Sequence, residues 1–578
     1  MVEHGIDGPG PYRCVRDLLL RRPPRLRGRV DQEGLLAPGE AAEVGAVRLA
    51  TALNQGCLAI QGPPGSGKTS TAAKMVVELA ASGHTVGITA NSHAVISHLL
   101  EAVLTESRLQ GLELRAFQKA DPGQGATDPG VTRRGDVAEL LVDLHDGVKV
   151  VGGTAWVFSR PELDRRLDYL VVDEAGQLSL ANVCALATSA RNVVLVGDPR
   201  QLSQPSQGTH PEGAGVSALE HVLEDADTMP PTLGVFLDHT HRLHPAICQY
   251  ISEIYYQGRL QSLPGCERQT VLGSGWLSGS GLRWAPTEHQ GNAASSTEEA
   301  VAVAEIVGDL LRRTWVDRRG AERPIGLNDI LMVAPFNAQV ARLAARLPAG
   351  ARMGTVDLFQ GQEAAVVIVS LTTSSADDTP HGLDFLFSRE RLNVAVSRAA
   401  ALSVIVGSPA LLRTRCHTVG QLRLVNGLCR YVELAETGGD TQLLHSVPPR
   451  AKVLASGEEV DMFEADDIRD WLAHDVVDET GDKVGELEAI YYDTASDEPS
   501  FATVKVGVLS HRLVFVPLQG AKVGPGFLKV AYGKKLVQGA PAIETDGGLQ
   551  ASDEAPVFEH YGLAYQPGAS GERRLARR

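Results

Sequence analysis

The chain has 578 residues, of which 43% are hydrophobic and 21% are charged, and its net charge is −16. This composition is typical of a soluble protein with several domains. No apolar run approaches the ~20 residues that span a membrane, and the N-terminus lacks the apolar core of a signal peptide. We therefore expect no membrane span and a cytoplasmic location. The seven cysteines are scattered along the sequence, which argues against a zinc site, an iron–sulfur cluster or a disulfide framework.

The acidic charge is concentrated near the C-terminus. Residues 455–565 contain 21 Asp and Glu against 8 Lys and Arg, which gives −13 of the total of −16. A strongly acidic protein usually repels nucleic acid. Because most of this acidity lies in one region, the total charge is a weak argument against a nucleic-acid partner for the rest of the chain.

The first 35 residues are rich in arginine and are interrupted by Pro23–Pro24. The segment is either a solvated connection or a nucleic-acid contact, and the sequence leaves both possibilities open.

Residues 36–228 and 229–430 each alternate short apolar runs with helical patterns, which indicates two α/β domains in tandem. The runs are nearly continuous and rich in β-branched residues, as in strands buried on both faces of a parallel sheet. The predicted strands of the first domain are 57–60, 85–89, 148–151, 169–172 and 193–196, and those of the second are 330–334, 366–371 and 402–406.

A glycine-rich loop, GPPGSGKT, follows the first predicted strand and precedes a predicted helix at 70–81. Such a loop points backbone N–H groups at phosphate oxygens, and the helix N-terminus adds to the attraction. Lys68 should reach the β- and γ-phosphates of ATP, and the Thr69 hydroxyl should hold Mg²⁺. The predicted ATP-binding residues are Gly62, Pro63, Pro64, Gly65, Ser66, Gly67, Lys68, Thr69 and Ser70.

A second apolar run, LVVDEAGQ, ends in two carboxylates. Asp173 is placed to bind Mg²⁺ together with Thr69, and Glu174 to orient or deprotonate the attacking water. Together with the glycine-rich loop, this segment predicts a site that hydrolyses a magnesium–nucleotide complex.

The pattern of apolar and polar residues changes towards the C-terminus. Residues 431–460 have no periodic pattern and are predicted to be a linker. Residues 461–565 contain short alternating strands at 483–493, 502–509, 513–517 and 527–531, separated by turn signals, which predicts a small all-β barrel or sandwich. Residues 566–578 are predicted to be a disordered tail.

Further segments follow the two nucleotide motifs in a definite order: ITANSHAVISHLL, LVGDPRQLSQ, LDHTHRLHPAI, VAPFNAQV, GTVDLFQGQEAAVVIVSL and LNVAVSRA. This series resembles the superfamily 1B helicases over residues 40–425. The resemblance implies two RecA-like P-loop domains that close around ATP. It also implies that Gln201 contacts the γ-phosphate and the attacking water, and that Arg242 and Arg398 reach the phosphates across the cleft.

By the same resemblance, Glu363 contacts the ribose, and the nucleic-acid strand lies near Ser92, His93, Phe336, Asn337, Thr355 and Asp357. Phe336 either stacks on a base or belongs to the hydrophobic core. His93 is a candidate contact to a phosphate or a sugar.

Two departures from the family pattern are visible. Family members carry a glutamine that recognises adenine about 17 residues before the glycine-rich loop, and here Gly45 lies near that place. Only about 50 residues, 101–150, are available for an accessory domain that would separate a duplex. We therefore expect relaxed selectivity for ATP and weak unwinding.

The segment RDLLLRRPPRLRG followed by this core resembles the C-terminal half of bacterial proteins that join a RecB-like nuclease to a helicase. No nuclease carboxylate–lysine set precedes the core, so we expect no nuclease activity. The nuclease is absent, is a separate subunit, or has been lost from this chain.

Residues 461–562 resemble a PRC-barrel domain through Trp471, Gly481, Gly485, Asp493, Pro517, Pro541, Tyr561 and Gly562. The resemblance implies a protein-interaction module, and its acidic charge favours a protein partner over nucleic acid.

The sequence thus predicts an ATP-dependent helicase or translocase that moves on single strands, of DNA rather than RNA, in DNA repair or processing. The alternative is a nucleotide-gated interaction protein, in which the ATPase core switches the contacts of the barrel without processive movement.

Overall fold

The computed structural model describes residues 5, 8, 10–28, 34–121, 124–202, 215–359, 361–380, 382–416, 418–438, 475–493, 499–506, 512–524, 527–543, 551–563, 565 and 575–577. The chain divides into two compact units, one holding most of residues 1–446 and the other most of 447–578. Within the described residues, no helix is both long enough and apolar enough to cross a membrane.

The first sheet has eight strands, all paired in parallel, in the order β4-β3-β5-β2-β6-β7-β1-β8. Its strands are β1 Cys57–Gln61, β2 Val86–Thr89, β3 Ala116–Lys119, β4 Val131–Arg134, β5 Val150–Gly152, β6 Leu167–Val172, β7 Ala190–Gly197 and β8 Gly234–Phe236. The helices beside it are α1 Arg13–Leu19, α2 Ala42–Ala52, α3 Lys68–Ala81, α4 His93–Leu109, α5 Val137–His145, α6 Ala155–Phe158, α7 Leu180–Leu186 and α8 Ala218–Leu223.

All five strands predicted for the first domain are present. The central strands are buried along their whole length, since β1, β2 and β5 have no exposed residue. The strands β3 and β4 were not predicted, and they occupy part of the stretch 101–150. Strand β8 extends the first sheet beyond the predicted boundary at residue 228.

The second sheet has five parallel strands in the order β12-β18-β17-β15-β16. Its strands are β12 Gly281–Pro286, β15 Ile330–Ala334, β16 Arg352–Thr355, β17 Ala364–Ser370 and β18 Ala399–Gly407. The short strands β9 His239–Thr240 and β10 Gln261–Ser262 pair with each other, and β11 Thr270–Leu272, β13 Thr314–Val316 and β14 Glu322–Pro324 form a three-stranded sheet. The helices of this half are α9 Pro245–Tyr255, α10 Thr297–Leu310, α11 Asn337–Ala344, α12 Leu383–Leu386, α13 Arg389–Val396 and α14 Val419–Gly438.

The arginine-rich N-terminal segment packs against the first sheet. Cys14 and Leu18 of α1 are at most 2% exposed and belong to the same hydrophobic cluster as β6 and β7. Asp17 is 2% exposed and accepts two hydrogen bonds from Arg25, at 2.6 and 2.9 Å. At least part of this segment is therefore structural rather than a solvated connection.

The C-terminal unit contains strands that are mostly antiparallel, in the order β23-β24-β19-β20-β21-β22-β25, with β26 beside β20. Its strands are β19 Asp475–Val477, β20 Lys483–Asp493, β21 Pro499–Val506, β22 Arg512–Pro517, β23 Lys522–Gly524, β24 Phe527–Lys529, β25 Ala542–Ile543 and β26 Leu575–Arg577, and its helices are α15 Lys534–Gln538 and α16 Ala551–His560. The fold class, two parallel α/β sheets followed by a small β-rich domain, is confirmed.

Two boundary predictions need correction. Helix α14 continues to Gly438, so the first residues of the predicted linker 431–460 are helical. Residues 575–577 form a strand that pairs with β20, so the tail is not wholly disordered as predicted. The remainder of the linker and the C-terminal stretch with Trp471 lie outside the described residues.

Candidate nucleotide site

The glycine-rich loop connects β1 to α3, as predicted. Gly65 and Gly67 have φ of 71° and 79°, a region that favours glycine. A Cβ added to Gly62 would lie 2.3 Å from Lys68 Cγ, and one added to Gly65 would lie 2.6 Å from Arg242 Cβ. Glycine therefore allows both the tight curl of the loop and the close approach of Arg242.

A cavity of about 440 Å³ lies on this loop. All five predicted catalytic residues line it, although they come from distant parts of the sequence. They are Lys68, Glu174, Gln201, Arg242 and Arg398, and they are joined by loop residues Pro64–Ser70 and by His98, His241, Arg318 and Gly361. Gly62, Pro63 and Asp173 lie beside the cavity without lining it, and Glu363 lines a neighbouring cavity.

Two acidic side chains follow β6. Asp173 is 4% exposed, and burial together with the charge of Glu174 raises the pKa of its carboxyl to about 7. Glu174 has φ of 50°, an uncommon backbone conformation for a residue other than glycine. Carboxylate and hydroxyl oxygens are the ligands that a hard divalent cation such as Mg²⁺ prefers. The chemistry of Thr69 and Asp173 fits such an ion, and a magnesium site at these two residues stays a prediction.

A buried hydrogen-bond network links the two sheets across the cleft. Tyr256 Oη donates to Asp198 Oδ2 at 2.6 Å, and Asn393 Nδ2 donates to Tyr256 Oη at 3.0 Å. Gln201 Nε2 donates to the same Asp198 oxygen at 2.8 Å, while Arg398 Nη2 donates to Gln201 Oε1 at 3.2 Å. Asp198 and Gln201 follow β7 of the first sheet, whereas Asn393 lies in α13 and Arg398 immediately precedes β18. The network therefore couples the positions of the two halves.

Arg398 is held deep in this cleft. Its side chain is 2% exposed, and burial, followed by repulsion from Arg242, lowers its pKa to about 9. A guanidinium so poorly hydrated is a strong partner for any anion that enters the cavity.

Arg242 is paired with a carboxylate. Its Nε donates to Glu363 Oε2 at 2.7 Å, and its Nη1 donates to the Ser397 carbonyl oxygen at 3.3 Å. Glu363, predicted to contact a ribose, thus orients the arginine in this structure. A role for Glu363 at the ribose stays a prediction.

Glu43 of α2, rather than Gly45, contacts a residue that lines the cavity. Gly45 is buried, and a Cβ added there would lie 2.1 Å from Leu36 Cδ2, so this position faces the core. Two residues earlier, Glu43 Oε1 lies 3.5 Å from Nε2 of His241, a residue that lines the cavity. The sequence spacing that put Gly45 near the place of a base-recognising glutamine stays a prediction.

The predicted nucleic-acid residues all follow the carboxyl ends of parallel strands. Ser92 and His93 follow β2, Phe336 and Asn337 follow β15, and Thr355 and Asp357 lie at the end of β16 and just beyond it. Ser92 caps α4 by accepting the Val95 N–H at 3.3 Å. The Asp357 carboxylate lies 3.6 Å from Arg391.

Phe336 is a buried side chain. It is 4% exposed and stacks on Phe385, with ring centroids 5.5 Å apart. In this structure the Phe336 ring belongs to the hydrophobic core, and its contact with a base stays a prediction.

The sequence analysis missed Trp156, which follows β5 and is 83% exposed. Strand β5 pairs with β2, so Trp156 lies near the same sheet edge as Ser92 and His93. An aromatic residue shortly after a buried strand was the available signal.

Comparison with known proteins identifies the domains. Residues 43–214 and 215–410 each match a family described as an AAA domain, and residues 463–537 match the PRC-barrel domain. The chain is 25% identical over 393 residues to "DNA replication ATP-dependent helicase/nuclease DNA2" of Mus musculus, covering 61% of this chain and 36% of that protein. It is 29% identical over 283 residues to human "RNA helicase Mov10l1", covering 43% of this chain and 23% of that one.

Among solved structures, a complex of Arterivirus nonstructural protein 10 (helicase) with DNA matches at 16% identity and a TM-score of 0.35, over 63% of this chain and 62% of that one. The resemblance to superfamily 1 helicases, with a PRC-barrel domain at the C-terminus, is confirmed by the domain matches and the curated relatives. The chain spans well under half the length of those relatives.

We predict that Tyr256→Phe destabilises the first compact unit by about 1.5–3 kcal/mol, because it removes a buried hydrogen bond to a carboxylate. Tyr250→Phe is the matched control, since its buried hydroxyl donates to the Gly427 carbonyl at 3.1 Å, and its loss should cost about 1 kcal/mol. Chemical unfolding of both variants measures the difference. Equal losses would contradict a special role for the network across the cleft.

Proposed function

We propose that this chain, which carries helicase-type AAA domains and a PRC-barrel domain, is an ATP-dependent translocase or helicase of superfamily 1B that acts on single-stranded nucleic acid. One observation carries the proposal. A single cavity is lined by the glycine-rich loop, by Glu174 and Gln201, and by two arginines from the second half of the chain, Arg242 and Arg398.

Each side chain has a distinct task in hydrolysis. The loop N–H groups and Lys68 bind the phosphates, and Thr69 and Asp173 hold Mg²⁺, which neutralises phosphate charge when bound. Glu174 accepts the proton of the attacking water. Arg242 and Arg398 then stabilise the negative charge that develops on the transferred phosphoryl group.

Hydrolysis is coupled to motion through the cleft. Because Arg398 bonds Gln201 and Tyr256 bonds Asp198, a change at the γ-phosphate alters contacts that fix one sheet against the other. Nucleotide turnover thereby opens and closes the cleft, and the two halves alternate their grip on a strand.

The strand lies along the carboxyl edges of the two sheets. It contacts Ser92, His93 and Trp156 at the first sheet, and Asn337 and Thr355 at the second sheet. Trp156 is 83% exposed, and its indole offers a flat face on which a base can stack. Single-stranded DNA is the favoured substrate, in DNA repair or processing in the cytoplasm.

Two protein partners complete the proposal. The acidic PRC-barrel domain binds another protein, or another part of this chain, rather than nucleic acid. A separate nuclease subunit is the second candidate partner, beside the alternatives that the nuclease is absent or has been lost from this chain.

We expect single-stranded DNA to raise the rate of ATP hydrolysis by the purified chain about tenfold or more, because strand binding completes the catalytic site. Steady-state hydrolysis is measured with DNA, with RNA and without either. Lys68→Ala and Glu174→Gln should abolish it, because they remove a phosphate contact and the proton acceptor.

Activity that is equally high with and without either polymer, yet lost in both variants, would contradict a translocase. That result would favour the nucleotide-gated interaction protein instead.

Trp156→Ala should weaken binding of single-stranded DNA by about 1–3 kcal/mol, the usual worth of one aromatic stack, while Trp156→Phe should retain most of the affinity. Leu109→Ala, at a position 79% exposed at the end of α4, is the control for removing an exposed apolar side chain. Fluorescence anisotropy with a labelled strand provides the measurement. Equal affinities for Trp156→Ala and the wild type would remove this residue from the strand path.

A further inference from the structure

A β-hairpin formed by β13 and β14 reaches the nucleotide cavity, and the function proposed above assigns it no task. Its turn is rigid, since Asp317 Oδ1 accepts the N–H groups of Arg319 at 2.8 Å and of Ala321 at 2.9 Å. Gly320 has φ of 83°, which suits the turn. The Asp317 carboxylate is held ionised, because these hydrogen bonds lower its pKa.

The base of the hairpin is fixed as well. Strand β13 pairs with β11 on its other side. The Arg323 guanidinium lies 4.6 Å from the centroid of the Trp315 ring and donates to both oxygens of Asp329, at 2.7 and 2.5 Å. A hairpin held at both ends presents its tip in a defined place.

The tip places Arg318 in the wall of the 440 Å³ nucleotide cavity. Its Nη1 donates to the carbonyl oxygen of His241 at 3.0 Å, and its side chain lines the cavity that contains Lys68 and Arg398. Among the described residues, no carboxylate forms an ion pair with Arg318. A guanidinium with only one carbonyl partner keeps four N–H donors for another acceptor.

Arg318 also lines a second cavity, of about 460 Å³, that adjoins the first. The two share Gly65, His241, Arg242 and Arg318. Trp315 lies in the wall of the second cavity, and its buried Nε1–H has no hydrogen-bond partner among the described residues. Glu363 lies in the same wall. This space therefore holds an indole, whose ring Arg323 also contacts, and the carboxylate of Glu363, which pairs with Arg242. Aromatic and carboxylate side chains are groups that contact a base and a ribose.

We propose that the hairpin of residues 314–324 is part of the nucleotide site, with Arg318 binding a phosphate of a nucleoside triphosphate and the 460 Å³ cavity receiving its nucleoside. The inference rests on the proposed ATPase function and names a contact that this function does not require. Arginine suits the task because its planar donors match phosphate oxygens and its charge is permanent.

The test is nucleotide binding by the full chain, measured by calorimetry with a non-hydrolysable ATP analogue and with ADP. Arg318→Ala should weaken binding of the ATP analogue about tenfold or more, as expected for a lost charge-assisted hydrogen bond. Arg318→Lys should recover part of the lost affinity. Arg346→Ala is the matched control, because Arg346 is an exposed arginine that lines neither cavity. Unchanged affinity in Arg318→Ala, or an equal loss in Arg346→Ala, overturns the assignment.

Tryptophan fluorescence tests the nucleoside part separately. Addition of the analogue should change the emission of the wild type, and Trp315→Phe should remove most of that change. A full change in Trp315→Phe overturns the placement of the nucleoside.

Failure of the hairpin assignment and failure of the proposed function give different experimental results. If the wild type binds and hydrolyses ATP while Arg318→Ala behaves identically, only the hairpin assignment falls. If the wild type binds no nucleotide, both the assignment and the proposed function fall.

Discussion

The buried network of Asp198, Gln201, Tyr256, Asn393 and Arg398 is the constraint on which the rest of the site depends. Two of its members, Asp198 and Gln201, follow a strand of the first sheet, and the other three belong to the second half of the chain. Because each is at most 5% exposed, an unmade hydrogen bond here would leave a polar group without water. The halves are therefore held in one relative position, and that position creates the nucleotide cavity.

The same constraint explains the electrostatics of the cavity. Burial lowers the pKa of Arg398 to about 9, and a hydrogen bond to Glu363 orients Arg242. Cationic groups placed in advance at a site of developing negative charge need no reorganisation during the reaction. The proposed hairpin contact extends this arrangement, since Arg318 approaches from a third direction and closes the side of the cavity next to His241.

The sequence predicted the strands well, because strands buried on both faces leave continuous apolar runs. The five catalytic candidates, each in a short motif, line one cavity, and their roles in hydrolysis stay predictions. Prediction from the sequence failed where tertiary contacts decide. Counting residues pointed to Gly45, whereas the fold places Glu43 of α2 within 3.5 Å of His241, which lines the cavity. The burial of Phe336 depends on Phe385, far away in sequence. The hairpin at 314–324 has ordinary turn residues, and only the folded chain brings Arg318 to the phosphate loop.

The most direct test of the account is a double-mutant cycle between Gln201 and Arg398, measured as the single-turnover rate of ATP hydrolysis. If the two side chains act as one connected unit across the cleft, Gln201→Ala and Arg398→Ala should each lower the rate, and the double variant should lose little more than the worse single variant. If the two losses multiply, the residues act independently, and the coupling of hydrolysis to cleft closure through this network is contradicted.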